Sequence, residues 1–516
     1  MALVGSPRGL RPLLLPIGLV AIAFVIVALY RNVVKSQGLL EHLPMINGGK
    51  PSQGPENRRP TNTHAPPKYK PTPTLVAPSV TDPFPLLAKS TAAPPPIPQY
   101  NVPRPGLHRE YGISYAPPVF IGFTRQWPML LQCVVSYITA GWPPESIFVV
   151  ENTGVQDSNA EGKLSLQNPF YLNHSTLHRL GVNIIQTPVL LTFSQLQNFF
   201  LSTARARSWP YYFYSHQDVV VFSFEDGPDT TKRPGDRDWF FYDEQDEMDM
   251  RPSAAGQPGY RTIYENCLKE LNQTLEREER WAFRWFQYDH LTLVNRAALE
   301  AVGGFDALIP YYGSDCDMNA RLEMDGWTMK HRRVGIINDV STVMEDLLAL
   351  YRDPSVTPSF IDPNPVQSLE EEEEAKEEEA KEEMQNESAK EDGQKKQKEK
   401  ATQKREEKTK AHMDGSDSSV SKAITYFREL IQTSDKMGQF KYRNENRHRN
   451  SWQSSQQGGV GEPYYYNAEG FSASFWVLAE AGREIFRQKW GHQDCDLVEG
   501  TALKIEDQWL VEKDWE

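Results

Sequence analysis

The chain has 516 residues, of which 39% are hydrophobic and 24% are charged, and its formal net charge is −14 at pH 7. The acidic balance excludes general nucleic-acid binding, which needs a cationic face to displace counterions. Four cysteines without a Cys-x-x-Cys pair exclude both a disulfide scaffold and a structural zinc ribbon, and they leave one or two disulfides open with no pairing favoured.

Residues 1–35 predict a cytoplasmic tail followed by a membrane anchor. Between Arg11 and Arg31 lie 19 uncharged residues, and a helix of that length covers about 28 Å, the thickness of the hydrocarbon layer of a bilayer. A cleaved signal peptide is the alternative, but this stretch exceeds the usual apolar core of a signal and no small-x-small cleavage site follows it. Arg8, Arg11 and the α-amino group precede the stretch and Arg31 and Lys35 follow it, so the positive-inside rule favours a cytoplasmic N-terminus, and hence a lumenal body, by a small margin. A lumenal body would expose three sequons, which begin at Asn173, Asn272 and Asn386.

Residues 36–118 predict a proline-rich stalk. Eighteen of the 38 prolines fall between Pro51 and Pro118. Proline removes a backbone donor and fixes φ, which gives an extended, semi-rigid spacer. A ligand for an SH3-type domain is the rival interpretation, but a lumenal tether needs no partner, and we expect the tether.

From Val119 onward, predicted strands alternate with predicted helices. The strands are VFIGFT (119–124), SIFVVENTG (146–154), VNIIQTP (182–188) and YYFYSHQDVVVF (211–222), and the helices are residues 127–142 and the segment TFSQLQNFFLSTARARS. This alternation predicts a mostly parallel sheet with helices on both faces. Ligands of such sheets lie beyond the carboxyl ends of the strands, where the sequence has Glu151-Asn152 and His216-Gln217-Asp218.

Residues 362–420 predict a charged insert outside any core. The stretch from Glu370 to Asp392 holds thirteen acidic and three basic residues, and the residues after it are rich in lysine. Such a segment forms an exposed helix with i,i+4 ion pairs or a disordered insertion. Because apolar helical spacing returns after it, we expect the insert to interrupt one catalytic domain with parts at 119–361 and 421–516.

Three side chains are candidates for binding a divalent cation, namely His216, Asp218 and His492. Carboxylate oxygens suit Mg²⁺ and Mn²⁺, and Mn²⁺ also accepts imidazole. An Asp that follows a strand is also a common turn residue. A lone His, such as His492 in GHQDCD (491–496), is also an ordinary surface or core residue.

Two carboxylates are candidates for acid–base chemistry. Asp315 and Asp317 precede the amphipathic helix predicted within YYGSDCDMNARLEMDGW (311–327). Two closely spaced carboxylates can divide the labour, one deprotonating an acceptor hydroxyl and the other fixing the substrate. Acidic residues at a helix start also serve as caps, which is the structural alternative for Asp317.

The segment LTLVNRAALEAVGGFDALIPYYGSDCDMNARLEMDGW (291–327) resembles the second half of nucleotide-sugar glycosyltransferases with the GT-A fold, particularly the family-2-like group. That group has an apolar strand, a Gly-Gly-Phe-Asp turn, and Glu-Asp-x-Asp before a helix that ends in Gly and an aromatic residue. VVENTG (149–154) resembles the strand end with which the group holds the nucleoside, and YSHQDVVV (214–221) aligns with its Asp-x-Asp metal motif. The chain departs from the pattern at His216, which replaces the first Asp of that motif, and at Ser314, which replaces Glu.

The resemblance implies an α/β chain with a GT-A fold, a Rossmann-like, mostly parallel sheet, behind a single N-terminal transmembrane helix. It implies transfer of a sugar, with inversion, from a nucleotide-sugar donor to a hydroxyl group of a glycan, glycoprotein or glycolipid acceptor. The anchor and stalk match Golgi glycosyltransferases. We therefore expect a single-pass type II membrane protein of the Golgi or ER lumen.

The same resemblance implies roles for the candidate residues. Asp315 would act as general base, with Asp317 the next candidate. A Mn²⁺ or Mg²⁺ ion at Asp218 and His216, with His492 as a late ligand, would neutralise the departing diphosphate. The residues against which the nucleotide would lie are Thr124, Glu151 and Asn152.

Two other functions stay open. A catalytically inactive GT-A-fold protein that binds a sugar or nucleotide, or serves as a scaffold, is the main alternative, because a fold does not guarantee a function. A nucleotidyltransferase with a similar core is the third, and the sequence lacks the Gly-rich phosphate loop that it would need.

Overall fold

The computed structural model describes residues 67–71, 79–89, 93–228, 252–277, 280–361, 418–446, 457–463 and 467–515. The chain divides into two units, 1–74 and 75–516, and every helix and strand named below belongs to the second. The anchor predicted within residues 1–35 and most of the insert predicted over 362–420 lie outside the described residues. In the parts of the chain that are described, no helix is long and apolar enough to cross a bilayer.

Strands of the second unit form two sheets. In chain order they are β1 (Val119–Phe123), β2 (Ile147–Glu151), β3 (Asn183–Gln186), β4 (Tyr211–Ser215), β5 (Val219–Phe222), β6 (Trp281–Trp285), β7 (Leu291–Asn295), β8 (Thr328–His331) and β9 (Ile336–Asp339). The larger sheet has the order β3–β2–β1–β4–β7–β6–β8, and β5 pairs with β9 in a smaller one. Strands β1 to β4 are parallel, β7 is antiparallel to both its neighbours, and β8 is parallel to β6. The mostly parallel, Rossmann-like α/β sheet expected from the sequence is confirmed.

The central strands are apolar throughout because both faces of the larger sheet are covered. In β1, Val119, Ile121 and Phe123 belong to one apolar cluster and Phe120 to another. Side chains alternate between the two faces of a strand, so the two clusters lie on opposite sides of the sheet. A buried parallel strand therefore has a continuous apolar run and no polar alternation.

The helices cover these faces. In chain order they are α1 (Pro85–Lys89), α2 (Leu107–Glu110), α3 (Trp127–Thr139), α4 (Gln156–Ala160), α5 (His174–Arg179), α6 (Phe193–Ala206), α7 (Ile263–Glu276), α8 (Arg296–Ala301), α9 (Ser314–Met324), α10 (Ser418–Asn446) and α11 (Ala468–Trp490). Helix α3 is buried along its whole length and has proline in its first turn, where a missing N–H costs nothing. Its sequence, like that of α6, is helical as predicted.

The second half of the predicted stalk packs against the core. Within residues 79–118, the side chains of Phe84 and Leu87 are fully buried and those of Leu107 and Ile113 nearly so. All four belong to the apolar cluster that contains Val119, Ile121 and Phe123, which is the main apolar cluster of the domain and includes residues of α3. Apolar residues spaced among the prolines thus bind this part of the chain to the domain, which corrects the prediction of an extended spacer up to residue 118.

The segment 211–222, predicted as one strand, forms two strands in different sheets. Strand β4 ends at Ser215 and β5 begins at Val219. Between them the backbone carbonyl of Asp218 accepts a hydrogen bond from the Val340 N–H at 2.8 Å. At the polar residues 216–218 the chain therefore passes from the larger sheet to the smaller one. The residues on both sides of them have high β-propensity, and for this reason the sequence suggested one continuous strand.

The residues that follow the insert pack on the same core. Phe427, Leu430 and Met437 of α10 belong to the main apolar cluster, and α10 packs against β9. Helix α11 packs against α9. A disulfide between Cys316 and Cys495, with a Cα–Cα distance of 5.2 Å, joins α9 to the loop after α11, and this provides the pairing that the sequence left open.

Candidate functional site

Ionisable side chains converge at the edge of the larger sheet where β1, β4 and β6 end. His216 and Asp218 follow β4, and Asp339 ends β9. Asp289 and His290 lie in the turn between β6 and β7. Because parallel strands end at one edge of a sheet, residues far apart in the sequence meet there.

His216 and Asp289 form an ion pair in this cluster. The His216 Nε2 atom lies 3.4 Å from Asp289 Oδ2, and His216 Nδ1 lies 3.9 Å from Asp218 Oδ1. Burial disfavours the imidazolium, but the carboxylates of Asp289, Asp218 and Asp339 outweigh it and raise the pKa of His216 to about 9. Burial likewise disfavours the Asp289 carboxylate, and the charge of His216 reverses this and lowers the pKa of Asp289 to about 2. Without a bound cation the pair is therefore ionised at neutral pH, and a cation that binds His216 would displace its proton.

Asp218 and Asp339 share a lysine from α10. The Lys441 Nζ atom lies 2.7 Å from Asp218 Oδ2 and 2.5 Å from Asp339 Oδ1. The Tyr442 hydroxyl also donates to Asp339. Burial disfavours the charged forms of this group, yet the opposite charges prevail, so the pKa of Lys441 is raised and that of Asp339 lies well below its usual range.

The metal ligands predicted from the sequence do not form one set. His216 has one donor atom within 4.8 Å of donor atoms from Asp289 and His290, and these three residues form a group that fits a cation. His492 belongs to a separate group with Asp494 and Asp496. Asp218 is paired with Lys441, so its charge is already balanced by an ammonium group.

The donors of the His216, Asp289 and His290 group suit a borderline divalent cation. Two imidazoles and one carboxylate are ligands that Mn²⁺ accepts, whereas Mg²⁺ prefers oxygen alone. Within the described residues, His290 Nδ1 is buried and makes no hydrogen bond, whereas His216 Nε2 lies 3.4 Å from Asp289 Oδ2. A neutral imidazole at either position can ligate a cation, so the residues present fit the ion that the resemblance implies, provided that His216 loses its proton when the ion binds.

Asp315 lies at a cavity next to this group. It is half-buried in the first turn of α9, and its Oδ2 accepts a hydrogen bond of 3.0 Å from the Tyr288 hydroxyl. The cavity is small, about 20 Å³, and reaches about 340 Å³ only when the open solvent at its mouth is included; it is lined by Phe193, Tyr214, Phe283, Trp285, Tyr288, Asp289, Phe305, Asp315 and Asn319. Its walls are thus mainly aromatic with a few polar groups, which is the usual make-up of a small-molecule site.

The turn that carries Tyr288, Asp289 and His290 has an unusual backbone. Gln287 and Tyr288 have φ values of +83° and +49°. The His290 N–H donates to the Gln287 carbonyl at 3.2 Å and closes a turn within this loop, and residues other than glycine adopt positive φ at a cost of about 1–2 kcal/mol each. Backbone strain of this kind collects at functional sites, and this turn carries Tyr288 and Asp289, which line the cavity, and His290, which belongs with Asp289 to the group that fits a cation.

Asp317 does not line the cavity. Its side chain is fully buried, and its Oδ2 accepts hydrogen bonds from Arg321 Nε at 2.9 Å while Oδ1 accepts one from Trp490 Nε1 at 3.0 Å. Lys489 Nζ lies 2.6 Å from Oδ1. With both oxygens bound by donors from α9 and α11, Asp317 acts as a buried anchor between these helices.

The three residues predicted to contact a nucleotide lie at the ends of β1 and β2, and two of them are turned inward. Glu151 is fully buried, and its carboxylate accepts from Asn159 Nδ2 at 2.8 Å and Gln186 Nε2 at 3.1 Å. Asn152 exchanges hydrogen bonds of 2.9 and 2.7 Å with the backbone of Leu191. Thr124 is half-buried after β1, and its N–H donates to Gln217 at 3.4 Å.

His492 lies in the loop that the disulfide joins to α9. Its Nε2 is 2.9 Å from Asp496 Oδ1, and its Nδ1 pairs with Asp514. Burial opposes the imidazolium, but these two carboxylates raise the pKa of His492. The ring thus joins two parts of the C-terminal segment, and its donor group is separate from the one at the sheet edge.

No motif in the sequence marks Asp289, His290, Asp339 or Lys441 as members of this cluster. The first two lie in FQYDH (286–290), where polar residues between two apolar runs look like any hairpin turn. A signal was present, because an Asp-His pair directly before the specific segment 291–327 lies at the same sheet edge as His216. Lys441 lies 223 positions after Asp218, and no local pattern joins the two.

No family model matches this chain, and no curated protein matches it. Among solved structures, a mannosyltransferase from Pyrobaculum calidifontis in complex with GDP-Man and Mn²⁺ aligns at 12% identity with a TM-score of 0.25, over 43% of this chain and 56% of the other. A cytidylyltransferase from Leptospira borgpetersenii serovar Hardjo-bovis aligns at 9% identity with a TM-score of 0.23, over 43% of this chain and 81% of the other. The aligned part spans little more than half of the mannosyltransferase. At these scores neither similarity carries an argument about function.

Proposed function

We propose that the chain is a glycosyltransferase that moves a sugar from a nucleotide-sugar donor to a hydroxyl group of an acceptor. One observation carries this proposal. Asp289 belongs both to the lining of the cavity and to the cation-binding group, so the Asp315 carboxylate and a cation position adjoin a single cavity. A general base beside a site for a departing diphosphate is what sugar transfer with inversion needs.

In this proposal Asp315 takes the proton of the acceptor hydroxyl as that oxygen attacks the anomeric carbon. The Tyr288 hydroxyl, which donates to Asp315 Oδ2 at 3.0 Å, holds the carboxylate in position and leaves its other oxygen for the acceptor. The aromatic walls of the cavity pack against the C–H faces of a sugar ring and exclude water. Attack from the side opposite the leaving group inverts the anomeric configuration.

His216, Asp289 and His290 would hold a divalent cation, for which Mn²⁺ fits better than Mg²⁺ because two of the three ligands are imidazoles. A bound cation supplies neutralisation of the negative charge on a diphosphate. Glu151 and Asn152 have their side chains bound within the chain, so we propose that they shape the loops at the ends of β2 and β3. Contact with a nucleotide would then come from the backbone near Thr124.

We also propose that the body is lumenal, behind the anchor predicted within residues 1–35. The disulfide between Cys316 and Cys495 supports an oxidising compartment such as the Golgi or ER lumen, because cytosolic thiols are kept reduced.

A screen of nucleotide sugars tests the proposed activity. The full chain is heated with each UDP-sugar and GDP-sugar, with and without Mn²⁺, and every donor that raises Tm is then assayed for hydrolysis and for transfer to sugar acceptors. We expect at least one donor to bind more tightly with Mn²⁺ and to be turned over. A chain that binds nucleotides but leaves every donor intact would instead be the inactive binding protein, and one that binds none would refute both.

A further inference from the structure

A single ammonium group lies where two buried carboxylates meet. Lys441 is 3% exposed, and its Nζ atom lies 2.7 Å from Asp218 Oδ2 and 2.5 Å from Asp339 Oδ1. The carbonyl oxygen of Val340 is 3.4 Å from the same nitrogen. The three oxygens come from the start of β5 and the end of β9, whereas the nitrogen comes from α10, beyond the charged insert.

The two carboxylates need a cation between them. Asp218 and Asp339 are 6% and 9% exposed, and Val219 pairs directly with Asp339 across the smaller sheet, so the acidic groups are held together by the backbone. Two buried carboxylates held next to each other are strongly unfavourable without a counter-charge. Two carboxylates and a carbonyl are also the hard oxygen ligands that a divalent cation takes.

We infer that Lys441 is a fixed internal cation that takes the place of a divalent ion at Asp218. Asp218 is the residue that aligns with the second Asp of the metal motif, and its charge is balanced by the protein itself. A divalent ion at this edge of the sheet is then held without Asp218. The inference rests on the proposed function only for the use of such an ion, and its test measures cation binding and not turnover.

The inference predicts that removing the lysine creates a metal site. With Lys441→Gln, Asp218 and Asp339 lose the ammonium group between them and keep the imidazoles of His216, 3.9 Å from Asp218, and His290, 3.4 Å from Asp339, so their affinity for Mn²⁺ rises. The full chain is titrated with Mn²⁺ by calorimetry and its Tm is recorded in the same buffers. We expect Lys441→Gln to bind one more Mn²⁺ than the wild type, at Asp218 and Asp339, with an affinity for that position at least about tenfold higher than in the wild type. Saturation with Mn²⁺ should raise the Tm of this variant by several degrees.

Three variants make the comparison specific. Lys436→Gln removes an exposed lysine from the same helix and should leave Mn²⁺ binding unchanged. Lys441→Gln combined with Asp218→Asn should lose the additional ion. Asp218→Asn alone should change the wild-type affinity for Mn²⁺ by less than about threefold, whereas Asp289→Asn should weaken it at least about tenfold.

Each other result overturns the inference. A folded Lys441→Gln chain that gains no Mn²⁺ refutes it, and so does one that stays unstable at every Mn²⁺ concentration. The Asp218→Asn variant keeps Lys441 paired with Asp339 and is expected to fold. If this variant no longer binds the Mn²⁺ that the wild type binds, Asp218 is a metal ligand. Lys441 then does not take the place of a divalent ion there. Loss of transferase activity alone would bear on the proposed function and not on this inference.

Discussion

Asp315 and Asp317 illustrate how two identical residues, two positions apart, come to different environments. Side chains at that spacing point to different sides of a helix. Asp315 is half-buried beside the cavity and bonded to the Tyr288 hydroxyl, whereas Asp317 is fully buried among Arg321, Lys489 and Trp490. The first lines the cavity, and the second holds α9 against α11.

Substitution of Asp317 should therefore affect stability first. Asp317→Asn removes the negative charge that neutralises the buried Lys489 and Arg321. Removal of one partner of a buried ion pair lowers the unfolding free energy by about 3–5 kcal/mol. Asp315→Asn changes a partly solvated group and should cost less than about 1 kcal/mol. Urea denaturation of both variants measures the difference. Equal losses of unfolding free energy would show that Asp317 is not the anchor described here.

When a chelator keeps divalent cations away, the ion pair of His216 and Asp289 should make stability depend on pH. The pKa of His216 rises from about 6.5 in the unfolded chain to about 9 in the folded one. Its stabilising contribution is thus complete below pH 6.5 and is lost as the pH rises through 9. We expect the unfolding free energy of the wild type to fall more between pH 6.5 and 9.5 than that of His216→Gln, as measured by urea denaturation at each pH. If the unfolding free energies of the two proteins fell equally with pH, the ion pair of His216 and Asp289 would not stabilise the fold.

At the residue level, the sequence predicted best where the chemistry is local. Asp315 became a candidate because its neighbours on both sides, residues 291–327, carry a specific pattern; the structure has it beside a cavity, and its role stays a prediction. Asp289 and Lys441 were missed because their role depends on which strands and helices meet, and this is set by packing over hundreds of positions. His216 and His492 were grouped together by residue type, although their surroundings are separate.

At the level of elements, apolar runs predicted which segments form strands and helices, but they did not predict where the strands end. Strands β1, β2 and β3 and helices α3 and α6 were all expected, because buried parallel strands and amphipathic helices leave clear patterns. The break between β4 and β5 was not expected, since Val219 to Phe222 continue the apolar run. Only the pairing of β5 with β9 separates the two strands, and pairing partners are not encoded locally.

The disulfide joins the element that carries Asp315 to the C-terminal loop. Cys316 and Cys495 are 179 positions apart in the sequence, and closing a loop of that size restricts the unfolded chain. Cys495→Ser should lower the unfolding free energy by about 2–4 kcal/mol. A reductant should lower the Tm of the wild type to that of the variant and leave the variant unchanged. A wild-type Tm that is insensitive to reductant after full reduction of the bond would contradict a stabilising role.

At the level of the whole molecule, the site draws on distant stretches of the chain. Residues 216–218, the turn at 287–290 and Lys441 converge although the charged insert separates the last from the others. The sequence indicated that the insert interrupts a domain, and α10 and α11 do pack on the elements before it. It did not indicate that residues 79–118 join the core, because their prolines outweighed their few apolar residues.

The proposed lumenal location predicts glycosylation of the native protein. Asn173 is half-buried and caps α5 through its Oδ1, which accepts from the Thr176 N–H at 2.9 Å. Asn272 instead donates to Glu276 Oε1 at 2.9 Å. We expect a glycan at Asn173, so that glycosidase treatment increases gel mobility and Asn173→Gln removes part of that shift. Unchanged mobility of the natively expressed protein after digestion would count against a lumenal body.

Whether Asp315 is the general base of a sugar transfer is tested most directly by measuring turnover and donor binding separately in Asp315→Asn. Asparagine keeps the size of the side chain but does not accept a proton at neutral pH. With a donor found by the screen, we expect turnover to fall about 10²–10⁴-fold while the donor Kd and the Tm barely change. Near-normal turnover by this variant would contradict the account and place the base elsewhere.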